Sequence, residues 1–387
     1  MTAVPAAVAP ALAVDARAWA EVDLDAIRTS VATLKRCAGS AAVMAVVKAD
    51  GYGHGAVPSA RAALEAGATW LGVAYVEEAL ELRMAGLRVP ILLLVEPPPE
   101  STWHAVANDV DVVVATPRGL DAARRAAEAT EKTARVHLKV DTGLTRGGAL
   151  AAQWPELCAA AARATGAVRA VGVWSHFAHA DDPGHPTITA QLGRFAQALD
   201  VATAHGLRPD VRHLANSAAT LTLPAAHYDL VRPGVSVYGL SPGVAVGDPQ
   251  ALGLAPAMTL RARVALVKRV AAGTGVSYGH RYTTSAETTV ALVPLGYADG
   301  VPRAATNAAE VLAAGSRRRI AGTVCMDQFV VDVGNDEIAP GDEVTLFGPG
   351  GAGEPTADDW AQALGTISYE IVTRVGARVP RVYRGER

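Results

Sequence analysis

The strongest constraint on the fold is an alternation of short apolar runs and helical segments from residue 43 to about residue 240. The apolar runs have the length and β-branched composition of buried strands. The predicted strands cover residues 43–47, 69–74, 90–95, 110–115, 135–140, 170–175, 211–214 and 229–231. Eight strands with helical crossovers predict an α/β fold in the form of a (β/α)8 barrel. An open doubly wound sheet remains the alternative, because periodicity does not show whether a sheet closes.

A second domain is predicted after residue 243, where glycine and proline interrupt short β-rich runs. These runs predict strands at Leu260–Val270, Thr289–Val293, Arg319–Val324, Phe329–Val333 and Glu343–Leu346. We therefore expect a barrel over residues 18–243 and a mainly β domain over residues 244–387. The strand-like run Trp19–Asp23 lies outside the barrel count and is a candidate to join the second domain. Residues 1–17 are expected to form a flexible tail, and the absence of lysine and arginine from its first 14 residues argues against a signal peptide.

The bulk composition excludes several classes of function. A net charge of −3 gives no reason to expect a nucleic-acid partner. No apolar run approaches the ~18 residues of a membrane span. The three cysteines are scattered, without the spacing of a zinc site or a disulfide framework. We therefore expect a cytoplasmic protein that uses neither a membrane nor a metal.

Side chains suited to chemistry follow the predicted strands at their carboxyl ends, which meet at one mouth of a barrel. They are Lys48 after the first strand, Lys139 and Arg146 around the fifth, His176 after the sixth, Asn216 and Ser217 after the seventh, and Arg232 at the eighth. A lysine at the tip of a buried strand is costly unless it is used, for example as a Schiff base to an aldehyde cofactor. A lysine that reaches solvent is the plain alternative. A dinucleotide loop does not fit, because GYGHG lacks the G-x-G-x-x-G spacing.

The last two loops of the predicted barrel are suited to a phosphate. Asn216 and Ser217 open a predicted helix, and Gly234 and Val235 lie in a glycine turn. Backbone N–H groups and small hydroxyl or amide side chains are the donors that phosphate needs. A simple helix cap is the alternative role of Ser217.

Eight short motifs in the chain resemble those of the alanine racemase family, in the order of that family. They are VKADGYGHG, KVDTGLTR, WSHFAHAD, NSA, RPGVSVYG, VSYGHRY, CMD and ISYE, between about Trp19 and Tyr383. The resemblance implies a fold-type III enzyme with pyridoxal 5'-phosphate (PLP) on Lys48 that interconverts L-alanine and D-alanine. The cofactor-binding residues that it implies are Lys48, Tyr52, His176, Asn216, Ser217, Arg232, Gly234, Val235 and Tyr369.

Racemisation needs two acid/base groups, one on each face of the α-carbon. The resemblance makes Lys48 one of them and Tyr278 of the partner subunit the other. His176 would hydrogen-bond that tyrosine and, in turn, Arg232. In the family this arginine faces the pyridine nitrogen. A guanidinium can only donate there, so the ring nitrogen stays unprotonated and the cofactor is a weaker electron sink.

The remaining residues take their expected roles from the same resemblance. Lys139 matches a lysine that is often carbamylated in the family. The resulting anion would hold Arg146, which contacts the substrate carboxylate. In the same motif, Leu144 stands where the family usually has methionine. Met326 and Tyr369 would limit the space beside the substrate. Asp181, Tyr297 and Arg303 match residues of the corridor that leads to the site. Thr323 stands where the family motif usually has arginine, which predicts a weaker inner gate.

The family also implies a homodimer with shared active sites and a role in supplying D-alanine for peptidoglycan. A serine racemase or a broad-specificity amino-acid racemase is the first alternative, and a non-catalytic PLP-binding protein is the second. A decarboxylase of basic amino acids is disfavoured, because it would want a carboxylate in place of Arg232 and a thiol or acid in place of Tyr278.

Overall fold

The computed structural model describes residues 16–386, which form two compact units. The barrel unit comprises residues 27–51 and 56–254. The β unit comprises residues 16–26, 52–55 and 255–386 of the described chain. The predicted tail over residues 1–17 lies outside the described residues except for its last two positions.

All eight strands predicted for the barrel are present. The first strand of the described residues, β1 (Ala18–Asp23), belongs to the β unit. The barrel strands are β2 (Ala42–Val46), β3 (Trp70–Val73), β4 (Ile91–Leu93), β5 (Val112–Val114), β6 (Ala134–Lys139), β7 (Val168–Trp174), β8 (Val211–His213) and β9 (Leu230–Val231). The helices before and between them are Leu24–Ala38, Ala56–Glu65, Val76–Met84, Pro99–Ala107, Pro117–Thr130, Trp154–Arg163, Pro186–Ala204 and Ser217–Thr222.

The eight strands close into a barrel, which excludes the open doubly wound sheet. They form two parallel four-stranded sheets, in the orders β4-β3-β2-β9 and β5-β6-β7-β8. At one seam, Leu93 N–H donates to the carbonyl oxygen of Asp111 (3.0 Å). At the other seam, Asp229 N–H donates to the carbonyl of Arg212 (3.1 Å), and Arg232 N–H donates to that of Ala215 (2.9 Å).

Apolar burial explains why these short runs become barrel strands. Met44, Leu92 and Leu230 are fully buried and form one cluster inside the barrel. Full burial of a side chain of this size contributes roughly 1.5–3 kcal/mol. Strands covered on both faces need continuous apolar runs, which is the pattern that the sequence shows.

The described part of the β unit contains three sheets, which are built from β1 and from strands β10 to β19. The strands are β10 (Met258–Arg263), β11 (Leu266–Val270), β12 (Gly275–Val276), β13 (Tyr282–Thr283), β14 (Thr288–Val293), β15 (Glu310–Ala313), β16 (Ser316–Arg319), β17 (Phe329–Gly334), β18 (Glu343–Phe347) and β19 (Arg381–Arg384). The largest sheet has the order β16-β15-β18-β10-β1-β19, in which β1 pairs antiparallel with β10 and parallel with β19. The other two sheets are β11-β14-β17 and the hairpin β12-β13. The helices of this unit are Ala357–Leu364 and Ser368–Thr373.

Two strand predictions for the second domain are wrong. The run Leu260–Val270 is two strands, β10 and β11, which pair with different sheets. The strand predicted at Arg319–Val324 is misplaced. The observed strand is β16, which ends at Arg319, the residue at which the predicted strand begins. β16 is exposed and pairs with β15 in a hairpin. Gly322, at φ +82°, then turns the chain out of the extended conformation. Among the described helices, none combines the length and apolar character needed to cross a membrane.

Candidate active site

Lys48 follows β2 and begins a left-handed turn, Lys48–Tyr52. Three residues of this turn that are not glycine have positive φ: Ala49 at 52°, Asp50 at 51° and Tyr52 at 53°. This conformation costs an L-residue roughly 1–2 kcal/mol, so the surroundings must hold it. The turn interrupts the chain sharply at the carboxyl end of the strand and leaves Lys48 at the barrel mouth.

The carboxylate of Glu78 fixes the start of the turn. It accepts hydrogen bonds from Ala49 N–H (2.6 Å) and from Ala74 N–H (2.7 Å), which follows β3. Burial and the charge of Arg146 lower the pKa of Lys48, and the charge of Glu78 partly opposes them. A lowered pKa favours the neutral amine, which is the nucleophilic form that attacks an aldehyde.

Four basic side chains act on one another at the barrel mouth. Burial, followed by the charges of Arg232 and Arg146, lowers the pKa of Lys139 to about 8, although Asp141 and Glu96 oppose the shift. The pKa of Lys48 is lowered in the same way. Such a group of mutually repelling cations favours the binding of an anionic ligand.

Arg232 is only 4% exposed and begins a chain of hydrogen bonds through the barrel interior. Its Nη1 lies 3.0 Å from Nδ1 of His213, whose Nε2 lies 2.8 Å from Nδ1 of His137. Nε2 of His137 lies 3.2 Å from Oδ2 of Asp111. Arg135 then donates to both oxygens of Asp111, at 2.6 and 3.0 Å.

The two ends of this chain determine the direction of every hydrogen bond in it. A guanidinium can only donate, and an ionised carboxylate can only accept. Burial raises the pKa of Asp111, but hydrogen bonds from His137 and Arg135 outweigh burial and lower it, so the carboxylate is ionised. Burial and the charge of Arg232 hold the pKa of His213 well below its usual value. His213 is therefore neutral, accepts from Arg232 at Nδ1 and donates from Nε2 to His137.

His176 is the second histidine beside Arg232. Nη2 of Arg232 lies 3.4 Å from its Nδ1, so the contact expected between these residues is present, although it is long. Burial, followed by the charges of Arg232 and Arg146, lowers the pKa of His176 well below its usual value. A neutral ring that accepts at Nδ1 carries its proton on Nε2. Nε2 of His176 is therefore a donor.

The two loops predicted to bind phosphate meet in the structure. Asn216 caps the helix Ser217–Thr222 by accepting from Ala219 N–H (3.1 Å). The Ser217 hydroxyl accepts from Gly234 N–H (2.8 Å), which leaves its own hydrogen available to donate. The first N–H groups of a helix have no acceptor inside the helix. Asn216, Ser217, Gly234 and the adjoining Val235 thus form a small cluster rich in donors.

A second group of predicted residues lies within the β unit. Tyr278 is 75% exposed, Met326 53% and Tyr297 44%. Tyr297 N–H donates to the carbonyl of Cys325 (3.0 Å), so this loop runs beside the segment that carries Met326. The hydroxyl of Thr323 donates to the carbonyl of Tyr278 (2.7 Å). Thr323 is buried within the β unit.

The other predicted residues are placed as follows. The rings of Tyr52 and Tyr369 lie within the β unit, with centroids 6.2 Å apart. Burial raises the pKa of Tyr52 well above its usual value. Arg303 opens a short 3-10 helix, and Asp181 is exposed in the loop after β7.

Comparison with known proteins shows the family to which this chain belongs. The family models "Alanine racemase, N-terminal domain" and "Alanine racemase, C-terminal domain" match residues 22–242 and 257–383. The alanine racemase of Frankia casuarinae is 67% identical over 371 residues, which cover 95% of this chain and 97% of that protein. The chain belongs to the alanine racemase family.

Solved structures of the alanine racemase family share the fold. The alanine racemase of D-cycloserine-producing Streptomyces lavendulae superposes with a TM-score of 0.94 at 56% identity, covering 96% of this chain and 97% of that one. The alanine racemase of Bacillus anthracis, solved with bound L-Ala-P, has a TM-score of 0.89 at 38% identity over 95% of both chains. The expected fold class, an N-terminal α/β domain followed by a β domain, is therefore confirmed.

Reasoning from sequence missed several residues that surround Arg232 and Lys139. His137, His213 and Asp111 extend the hydrogen-bonded contacts of Arg232. The centre of the Trp174 ring lies 4.4 Å from Nζ of Lys139 and 4.7 Å from Cζ of Arg232. The available signal was polar side chains inside or at the start of predicted buried strands, since such groups must have partners.

Proposed function

We propose that this chain interconverts L-alanine and D-alanine with PLP bound at the barrel mouth. The observation that carries the proposal is the convergence of Lys48, Lys139, Arg146 and Arg232, whose charges act on one another there. A phosphate, a phenolic oxygen and a substrate carboxylate would balance these cations. The homology to alanine racemases supports alanine as the substrate.

The residues present fit PLP. When bound, PLP withdraws electrons from the α-carbon and makes its proton acidic. Lys48 offers an amine with a lowered pKa, and Ser217 with Gly234 and Val235 offers donors for a phosphate. For Tyr52 and Tyr369 the assignment rests on the family resemblance alone.

Arg232 fits the position opposite a pyridine nitrogen because its charge is not paired directly with a carboxylate. Its hydrogen-bond partners are two neutral histidines and the carbonyls of Ser175 (2.8 Å) and Leu214 (3.2 Å). The carboxylate of Asp111 balances the charge only through two imidazoles. Burial lowers the pKa of Arg232 to about 9, so the guanidinium is still protonated at neutral pH and is a cationic donor towards the cofactor.

The proposed acid/base pair is Nζ of Lys48 and the phenolic oxygen of Tyr278 of the partner subunit. Lys48 is suited to take and return a proton because its pKa is lowered. His176 carries a donor at Nε2, and a donor facing a phenolate stabilises that ion. Arg146, exposed at the mouth, is assigned to the substrate carboxylate.

We further propose a homodimer with shared sites, in which Met326 also faces the partner's barrel. Exposed large side chains at 278, 297 and 326 form the kind of apolar surface that a partner covers. Asp181, Tyr297 and Arg303 are assigned to the access corridor from the resemblance. A supply of D-alanine for peptidoglycan is the family role, and a cytoplasmic location is supported by three free cysteines.

The deciding experiment follows D-alanine formation from L-alanine by purified, PLP-loaded enzyme, against a panel that includes L-serine. Alanine should turn over fastest. Lys48→Ala should lose activity in both directions together with the visible absorbance of the bound cofactor. Lys132→Ala is the matched control, because this lysine pairs with Asp109 on the surface. Faster turnover of serine, or a fully active Lys48→Ala variant, would contradict the proposal.

The shared site is tested by dilution. Activity per chain should fall in step with the dimer fraction, measured by analytical ultracentrifugation in the same buffer. A monomer with full activity would overturn the assignment of Tyr278 to the partner's site.

A further inference from the structure

The residue before Tyr278 has an unusual backbone conformation. Ser277 has φ 61° and ψ −173°, a region that is essentially confined to glycine. A serine persists there only when its surroundings hold it in place. Ser277 follows β12 directly, so this conformation sets the direction in which Tyr278 leaves the hairpin.

Two reciprocal hydrogen bonds hold this conformation. The hydroxyl of Ser277 donates to the carbonyl of Thr323 (2.7 Å), and the hydroxyl of Thr323 donates to the carbonyl of Tyr278 (2.7 Å). Thr323 is 2% exposed, so water does not compete freely for its hydrogen bond. We call this pair of interactions the Ser277/Thr323 clasp.

The neighbouring backbone is shaped to allow the clasp. Gly322 has φ +82°, and a Cβ at this position would lie 2.6 Å from the carbonyl oxygen of Val276. Only glycine therefore permits this approach. Gly322 N–H also donates to Oδ1 of Asn307 (2.6 Å), whose Nδ2 donates to the carbonyl of Arg281 (2.9 Å). The turn is thus held at its far end as well.

We propose that the Ser277/Thr323 clasp positions the phenol of Tyr278, and that Thr323 is a positioning residue for proton transfer. The inference rests on the proposed role of Tyr278 as a base. At 75% exposure within its own chain, the Tyr278 side chain is directed mainly by its backbone. A base must lie within hydrogen-bond reach of the proton that it removes. An arginine at position 323, as in the usual family motif, has no hydroxyl to make this contact.

The test compares Thr323→Val, which removes the hydroxyl at constant shape, with Thr323→Ser, which keeps it. Each variant is assayed as PLP-loaded enzyme, with α-deuterated L-alanine and with α-deuterated D-alanine. Thr323→Val should lower kcat about 10- to 100-fold with little change in KM, because small displacements of a catalytic group have effects of this size. The primary isotope effect should rise with L-alanine, because removal of its α-proton by Tyr278 becomes rate-limiting. It should fall with D-alanine, because delivery of a proton by Tyr278 then limits the rate instead of the isotope-sensitive removal by Lys48. Thr323→Ser should keep kcat and the isotope effects close to those of the parent enzyme.

Thr33→Val is the matched control. Thr33 is also buried, and its hydroxyl donates to a distant carbonyl, that of Gly253 (2.8 Å). Loss of that bond should leave both isotope effects unchanged. The inference is overturned if Thr323→Val leaves the isotope effects unchanged, if Thr33→Val alters them equally, or if Thr323→Ser does not rescue.

Tyr278→Phe separates this inference from the proposed function. If it slows removal of the L-face proton while Thr323→Val does not, only the positioning role is refuted. If Tyr278→Phe leaves the rate and isotope effects unchanged, the proposed base is wrong and the positioning role falls with it.

Discussion

Carbon dioxide should add to Lys139 of the purified enzyme and convert this amine into an anion. The reaction joins a neutral amine to carbon dioxide, forms an N–C bond and releases one proton. Only the unprotonated amine reacts, so the pKa of Lys139 sets the extent of reaction. The product would replace one of the converging cations by an anion beside Arg146, which lowers the repulsion at the barrel mouth.

The structure gives the size of the effect. At pH 7, a pKa of about 8 leaves about one amine in ten neutral, whereas the ordinary value of 10.5 leaves about one in 3,000. The burial and the neighbouring arginines thus raise the fraction of reactive neutral amine about 300-fold over that of an ordinary lysine. The indole ring of Trp174, 4.4 Å from Nζ, opposes the change, since a cation over its face is stabilised by about 0.5–2 kcal/mol.

The assay is 13C NMR of the enzyme equilibrated with 13C-labelled bicarbonate. One carbamate resonance should be present in the parent enzyme, grow as the pH rises from 6 to 8.5, and be absent from Lys139→Gln. Lys132→Gln is the control, because Lys132 is a surface lysine that pairs with Asp109 (2.8 Å). Removal of carbon dioxide at pH 6 should lower activity reversibly. A resonance that survives in Lys139→Gln, or an unmodified Lys139 in fully active enzyme, would refute this reasoning.

Three further predictions concern the supports of the site. Asp111→Asn should destabilise the fold by about 2–4 kcal/mol in urea unfolding, because it leaves buried donors of Arg135 and His137 poorly paired. The folded pKa of Asp111 is lowered, so its contribution to the free energy of unfolding is present above about pH 4 and is lost as the pH falls through the folded pKa. The free energy of unfolding of Asp111→Asn should therefore depend less on pH below about pH 4 than that of the parent. Gly172→Ala should cost about 1–3 kcal/mol, because the new methyl group would overlap the buried His137 ring; an unchanged midpoint would mean that the strand yields there. Glu78→Gln should lower the pKa of Lys48 further, so that cofactor-free enzyme takes up PLP at a lower pH than the parent; a shift to higher pH would contradict the sign.

Much of the fold was predictable because barrel strands are buried on both faces. Such strands appear in the sequence as short apolar runs, and β2 to β9 all do so. The strand β16 was missed because Ser316–Arg319 is three arginines after a serine, which gives no apolar pattern. It is a strand only because a tight turn pairs it with β15. Tertiary pairing overrides local pattern there.

The site was predictable where its residues follow strands, and less so where contacts cross the sequence. Lys48, His176 and Arg232 could be placed at one mouth from strand ends alone. The hydrogen-bonded path from Arg232 to Asp111 joins β9, β8, β6 and the start of β5, whose order around a barrel is known only once the barrel is built. The contact between Thr323 and Tyr278 joins residues 45 positions apart and has no signature in either segment.

The left-handed turn after Lys48 has a consequence for any attempt to engineer this enzyme. Ala49 occupies a left-handed conformation that glycine adopts more readily, so glycine at this position removes the backbone cost of that conformation. Asp50 has the same conformation, but its Oδ1 accepts from Ala56 N–H (2.8 Å), a hydrogen bond that glycine would lose. A selection for heat resistance alone would therefore favour glycine at position 49. The same replacement would give the segment after Lys48 more backbone freedom, so a gain in thermal tolerance at position 49 should be accompanied by a loss in turnover.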